Sequence, residues 1–206
     1  EESTFHMISL VSRLAEKSLF NYESFNTDNE LMRQDTELHF NGEEAAGYLN
    51  GLSILSNEKK HFHHIVVHHH VKNCFCDQVF KNINFDKALS EFSGLVIVKE
   101  GAHETISNQL NNNLIFSDNA RALSRPQLII DADDVECSHG CIIGQLSPEE
   151  IHYLQTRGLT TEQAKGILIY GFTEEIIDKI KNDDIKVKIK NSIYKKIQLL
   201  TKLDVQ

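Results

Sequence analysis

The feature that most constrains this chain is a run of short apolar beats, rich in Val, Ile, Leu and Phe, from about residue 5 to residue 143. Clusters of Gly, Asn, Asp and Ser separate them, so they read as strands bounded by turns rather than as helices. Their centres fall near Leu38, Ile54, Val66, Val79, Ile97, Ile115, Ile129 and Ile142, a rough repeat rather than a strict one. Such spacing fits a sandwich, or a solenoid in which two or three strands make each coil and stacked coils share one narrow core. Asn111-Asn112-Asn113 and the glycines Gly42, Gly51, Gly94 and Gly101 lean toward the solenoid, because Asn and Gly tolerate left-handed backbone at tight corners. Neither feature excludes the sandwich.

At Ser147 the pattern turns helical. Ser147-Pro148-Glu149-Glu150 places an N-cap, a proline where no donor is lost, and a glutamate able to close a capping box. This helix should stop at Arg157-Gly158, where Gly supplies a left-handed C-cap. Thr160-Thr161-Glu162-Gln163 starts a second, with apolar positions Ala164, Ile167, Leu168, Phe172 and Ile176 and a candidate break at Gly171. A third amphipathic helix falls in the Lys-rich tail from Lys179 to Gln206, with Ile185, Ile189, Ile193 and Ile197 four apart. That spacing drifts around a helix, so its buried stripe should be oblique. The expected division is a mainly β domain over 1–144 and a helical domain over 145–206.

Composition narrows the function classes. The 206 residues, 40% hydrophobic, suffice for one large domain, or for a domain with an appendage of about 50–60 residues. A formal charge of -9 with no dense basic run argues against nucleic acid. No stretch nears the roughly 18 apolar residues of a membrane span, and Glu1–Leu10 lacks a signal-peptide layout. Cys74, Cys76, Cys137 and Cys141 are too few for a secreted disulfide framework, so a cytoplasmic protein with reduced thiols is expected. The chain opens on Glu-Glu with its first methionine at Met7, as a fragment or processed chain would.

The run Arg125-Pro126-Gln127-Leu128-Ile129-Ile130-Asp131-Ala132-Asp133-Asp134-Val135-Glu136-Cys137-Ser138-His139-Gly140, followed by Gly144-Gln145-Leu146 and Tyr153-Leu154-Gln155-Thr156-Arg157-Gly158, resembles the C-terminal signature of the SufB/SufD family of the SUF iron–sulfur cluster assembly system. Cys-Ser-His-Gly, where the SufB branch carries a Glu-His-Glu-Ala type run, makes it similar to the SufD branch. The resemblance spans residues 30–180, loosely before the last third. It implies a right-handed parallel β-helix, truncated here, then a C-terminal helical segment. It also implies a non-catalytic scaffold subunit that pairs with a SufB-like paralogue through its last coil and docks a SufC-like ABC ATPase through its helices. When alone the subunit could form a homodimer. No tightly held cofactor is implied, only iron or an iron–sulfur cluster passing transiently through the subunit interface.

Cys137 and His139 are two apart and should share one strand face, where a thiolate and an imidazole could serve one iron. On the residues alone, a buried thiol and a hydrogen-bonded histidine are the more ordinary explanation of the pair. The resemblance adds a cluster-assembly role for His139 and, less strongly, Cys137, and an ATPase-docking role for Tyr153, Arg157 and Gly158. Cys141 reads as structural, because the strand is expected to turn at Gly140. Six histidines crowd His61–His70. His64, His68 and His70 share one face, but histidines occupy both faces, no closed ligand set is defined, and no acidic partner lies nearby. They read as solvent-facing and core-edge residues. Asp131, Asp133 and Asp134 read as a charged corner. Phosphate-loop, nucleophile-elbow and zincin motifs are missing, which argues against an enzyme. A carbohydrate-active or adhesive β-helix, the rival class, would need paired carboxylates in a groove or an aromatic platform, and the chain has no Trp.

Overall fold

Alternation of inward and outward side chains, repeated strand after strand, winds the chain into coils. The computed structural model describes residues 4–27 and 29–202. Its strands are β1 (Phe5–Leu14), β2 (Leu19–Asn26), β3 (Leu31–Phe40), β4 (Ala46–Leu55), β5 (Lys60–His69), β6 (Phe75–Asn84), β7 (Leu89–Val98), β8 (Ile106–Ile115), β9 (Arg121–Ile130) and β10 (Glu136–Gly144). They form two parallel sheets, β1-β3-β5-β7-β9 and β10-β8-β6-β4-β2. Each coil therefore contributes one strand to each sheet. The result is a parallel β-solenoid of about five turns, so the sandwich is set aside. Phe5 pairs with Leu31 whereas Leu89 pairs with Arg121, so the coils lengthen from the start of the solenoid to its end.

The first two strands precede the first beat legible in the sequence, near Leu38. β1 is largely exposed at the edge of its sheet, so apolar alternation there is diluted. The corner reading of the glycines holds for Gly42 and Gly101 but not for Gly51 and Gly94, which lie inside β4 and β7. A Cβ on Gly51 would stand 2.4 Å from the Phe80 ring, and one on Gly94 2.3 Å from the Gln109 amide. Gly51 makes room for a large neighbour one coil on, and Gly94 for one on the opposite sheet. The left-handed corners are carried mostly by Lys17, Glu44, Asn57, Asn73, Asp86, Glu104 and Asp134. Asn111–Asn113 is likewise no corner. It sits within β8, where Asn82 Nδ2 donates to Asn113 Oδ1 (2.8 Å) and Asn113 Nδ2 to Asn111 Oδ1 (2.8 Å), a ladder inside the solenoid.

Three helices follow: α1 (Pro148–Thr156), α2 (Thr161–Ile177) and α3 (Asp183–Thr201). Ser147 caps α1, accepting from the Glu150 amide, and Gly158 beyond its end has φ +92°. Thr160 and Gln163 form the expected capping box on α2, which runs unbroken through Gly171. On α3, Ile193 and Ile197 are buried while Ile185 is exposed, as an oblique stripe requires.

The apolar interior is split. One cluster fills the solenoid around Leu38, Phe40, Leu49, Phe80, Phe92 and Val96. The other lies outside it, where Leu52, Ile54, Val79 and Ile83 on the outer face of β4 and β6 meet Ile169, Ile176, Ile193 and Ile197 of α2 and α3. Each such isoleucine stabilises the docking by about 1.5–3 kcal/mol. Lys81, buried on that same face, donates to the Phe172 carbonyl (2.9 Å) and pairs with Glu175. Among the described residues no helix is long and apolar enough to cross a membrane.

Candidate functional site

In-register parallel strands stack equivalent side chains into columns, and the inward columns of the even sheet that run through Cys76, Gln78 and Phe80 end on β10. Cys76, Ser107 and Cys137 form one, Gln78, Gln109 and His139 the next, and Phe80, Asn111 and Cys141 a third. Cys137 and His139 thus share the face expected from their spacing. Cys141 shares it too, because the strand passes through Gly140 without turning and continues to Gly144, so the purely structural role expected for Cys141 lacks its premise. β10 pairs only with β8, which leaves its far edge and much of its inward face open. Cys137 is half-buried against the solenoid core, whereas His139 and Cys141 are exposed. Burial pushes the Cys137 thiol up from its ordinary range, against a smaller lowering by a backbone hydrogen bond at Ser107. Cys76, fully buried, is pushed up further by the same cause. In the His139 column, Gln109 Nε2 donates to Gln78 Oε1 (3.2 Å), while Gln109 Oε1 meets no partner among the described residues. Cys137, His139 and Cys141 do not converge on a common point in this chain alone.

The second predicted group sits together at the end of α1. Tyr153 is exposed, Arg157 lies over its ring at 5.2 Å, and an Arg157 Nη donates to the Tyr153 hydroxyl (3.3 Å). Gly158 closes the helix, its amide donating to the Gln155 carbonyl. No residue of α1 is buried. Asp131, Asp133 and Asp134 form an exposed corner between β9 and β10, whose carbonyls at 133 and 134 accept from His103 Nδ1 and the Glu104 amide.

The histidine run divides by parity. His61, His63 and His69 point inward on β5 and are buried. His61 Nε2 faces Gln34 Oε1 (3.2 Å) and its Nδ1 faces Ser53 Oγ, so the ring sits neutral between an acceptor and a hydroxyl. Gln34 Nε2 donates in turn to the Tyr22 hydroxyl (2.7 Å). Burial lowers the pKa of His61 to about 3, and that of His69 to about 3 with smaller help from His70 and His68. His64 and His68 point outward, with His70 just beyond the strand. The expectation that no acidic group stands nearby is overturned. Glu37 Oε1 contacts His68 Nε2 (3.3 Å) and His39 Nε2 (2.9 Å), and His39, from the neighbouring coil, joins His68 and His70 in one cluster. His64 shares that outer face, as its spacing implied, but lies beside Asp35 at 3.7 Å, outside the cluster. His39 escaped sequence reasoning because it lies a whole coil before His68, and only the β3–β5 register aligns the two.

Comparison with known proteins gives one family match and a set of relatives. The model of the SUF system FeS cluster assembly SufBD core domain matches residues 1–172, beginning well before the resemblance read from the sequence. The iron–sulfur cluster assembly protein SufD of Escherichia coli is 31% identical over 176 residues, covering 85% of this chain and 42% of that protein. A SufBD family protein of Synechocystis is 30% identical over 190 residues, covering 92% and 42%. The chloroplastic protein ABCI7 of Arabidopsis thaliana is 37% identical over 102 residues, half of this chain. The chain thus spans about two fifths of the length of the first two relatives.

Proposed function

The chain belongs to the SufBD core family of the SUF iron–sulfur cluster assembly system, and from that premise we propose that it is the D-type scaffold subunit of a SufB-SufC-SufD type complex, without catalysis of its own. The observation that carries this reading is the end of the even sheet. There an unpaired strand edge lies beside a thiol, an imidazole and a second thiol on one face. An open parallel edge calls for a cap or a partner, and donors that do not converge within one chain call for further ligands from outside it. A B-type paralogue would supply both, and a second copy of this chain could take its place when the subunit is alone.

In this reading the nascent cluster, or its iron, is cargo held between the subunits. His139, exposed, offers a ligand or a proton-handling imidazole. Cys137 is held protonated by burial, so iron must displace its proton before the thiolate can bind. The ATPase docks on α1, where Tyr153 and Arg157 present an exposed aromatic and guanidinium pair of the kind that anchors interfaces, and Gly158 sets the angle to α2. ATP-driven movement there would reach the β10 interface. All four cysteines are unpaired, in keeping with a cytoplasmic location.

The test is His139→Ala in a co-expressed complex. His139 is exposed, so the variant should fold and assemble with both partners, its stability changed by no more than about 0.5 kcal/mol. Cluster yield per folded complex should fall sharply, with His64→Ala as the control. Equal yields for wild type and His139→Ala would remove His139 from the site, and failure to capture an ATPase subunit at all would remove the scaffold reading.

A further inference from the structure

On the outer face of the odd sheet, away from β10, three imidazoles come together from two coils. His39 Nδ1 and His70 Nε2 are 3.1 Å apart, and one ligand atom from each of His39, His68 and His70 can be chosen so that all lie within 4.8 Å of one another. Two nitrogens bound to one tetrahedral ion at zinc distances would stand about 3.4 Å apart, so this spacing is close to that of a coordination shell. We propose that His39, His68 and His70 form a binding site for a divalent first-row transition ion, with zinc as the reference metal, distinct from the donors on β10.

The surroundings supply what such a site needs beyond its ligands. Glu37 engages His39 Nε2 and His68 Nε2, so an ion would take the other nitrogen of each ring, that of His39 now facing His70 Nε2. A carboxylate behind two ligating histidines fixes their tautomers and raises their basicity, the usual outer partner of a zinc histidine. His39 and His68 are partly buried, with side chains 15% and 19% exposed, whereas His70 is exposed, so the site is rooted in the sheet and open to solvent on one side. Three protein nitrogens with an open fourth position is an arrangement zinc accepts. The rings now lie nearly parallel, His39 stacked on His68 at 4.5 Å between centroids and on His70 at 5.4 Å. Binding must therefore turn them out of the stack so that their lone pairs converge. His70, beyond the end of β5, is the ring freest to move. Lys99 lies near His70 and opposes a cation there, while the Glu37 carboxylate offsets it.

The site is tested by calorimetric titration of Zn2+ into a Cys137→Ser/His139→Ala/Cys141→Ser background, so that β10 does not contribute, with circular dichroism to confirm the fold. One equivalent should bind. His70→Ala, an exposed change that leaves the core untouched, should weaken binding by more than about 100-fold, and Glu37→Gln, which removes only the outer carboxylate, by about 10–100-fold. His64→Ala, on the same face but outside the cluster, should leave the affinity unchanged. No binding in the background protein, or Zn2+ affinity unaltered by His70→Ala, overturns the proposal. Because β10 is silenced in every sample, either result leaves the scaffold reading untouched.

Discussion

The two faces of β5 carry the same residue type one position apart and put it to opposite uses. Inward, His61, His63 and His69 replace what would be Val or Leu in a simpler core, held neutral by burial. Outward, His64 and His68 meet carboxylates, and His68 and His70 stack on one another. Residue identity therefore says little here about role. Parity decides which side a residue faces, and whatever covers that side decides its chemistry. The outer face of β6 shows the second half of that rule, since α2 and α3 cover it and even its lysine is buried.

The largest expected effect follows from the inward histidines. The folded pKa of His61 and His69 is about 3, against about 6.5 in the unfolded chain. The unfolded state then binds more protons as pH falls, so stability is fully present above pH 6.5 and is lost progressively from there toward pH 3. Each histidine that stays neutral contributes a slope of about 1.4 kcal/mol per pH unit, and the three together at most about 4 kcal/mol per pH unit. Urea unfolding at pH 7.5, 6.0 and 5.0 reads that slope. His69→Phe isolates one ring's part in it, because His69 stacks on Phe40 at 4.4 Å and neither of its ring nitrogens has a partner among the described residues. The variant should be more stable at pH 5 and its slope shallower by one histidine's share. A slope unchanged by His69→Phe would mean that His69 does not titrate on unfolding.

Next in size is the covered outer face. Lys81 lies 4.5 Å from the Phe172 ring centroid, and its ammonium donates to the Phe172 carbonyl. Lys81→Ala removes a charge-assisted hydrogen bond and the stem that packs beneath α2, and should cost about 1.5–3 kcal/mol. A cost below about 0.5 kcal/mol would show that the isoleucines alone hold the helices, and that this lysine behaves like a surface residue despite its burial.

What the sequence disclosed, and what it hid, follows the same division. Features set within one strand or one turn were legible: the shared face of Cys137 and His139, the caps at Ser147 and Thr160, the left-handed stop at Gly158, and the drift of the α3 stripe. Features set between coils were not. Nothing in the spacing of Gly51 announces that Phe80, one coil on, needs its room, nor that Asn111 and Asn113 hydrogen-bond inside the solenoid rather than turn its corner. Glu37, His39, His68 and His70 come together only through the β3–β5 register, which sets His39 against His68. Coil length itself changes along the solenoid, so no fixed period in the sequence could have aligned them.

The smallest effect belongs to the outward face. His64 lies 3.7 Å from Asp35 and shares solvent with it, the two side chains being 48% and 39% exposed. An exposed pair of this kind is worth about 0–1 kcal/mol and is weakened further by salt. Arg33 already holds Asp35 through two hydrogen bonds, of 3.0 and 2.9 Å, so the carboxylate keeps a partner when the imidazole is gone. His64→Ala should therefore change stability by no more than about 0.5 kcal/mol in urea unfolding at pH 7.5. A cost above about 2 kcal/mol, the size of a core truncation, would show that this outward side chain is held like an inward one, and the division of β5 into a buried inner face and a solvated outer face would fail.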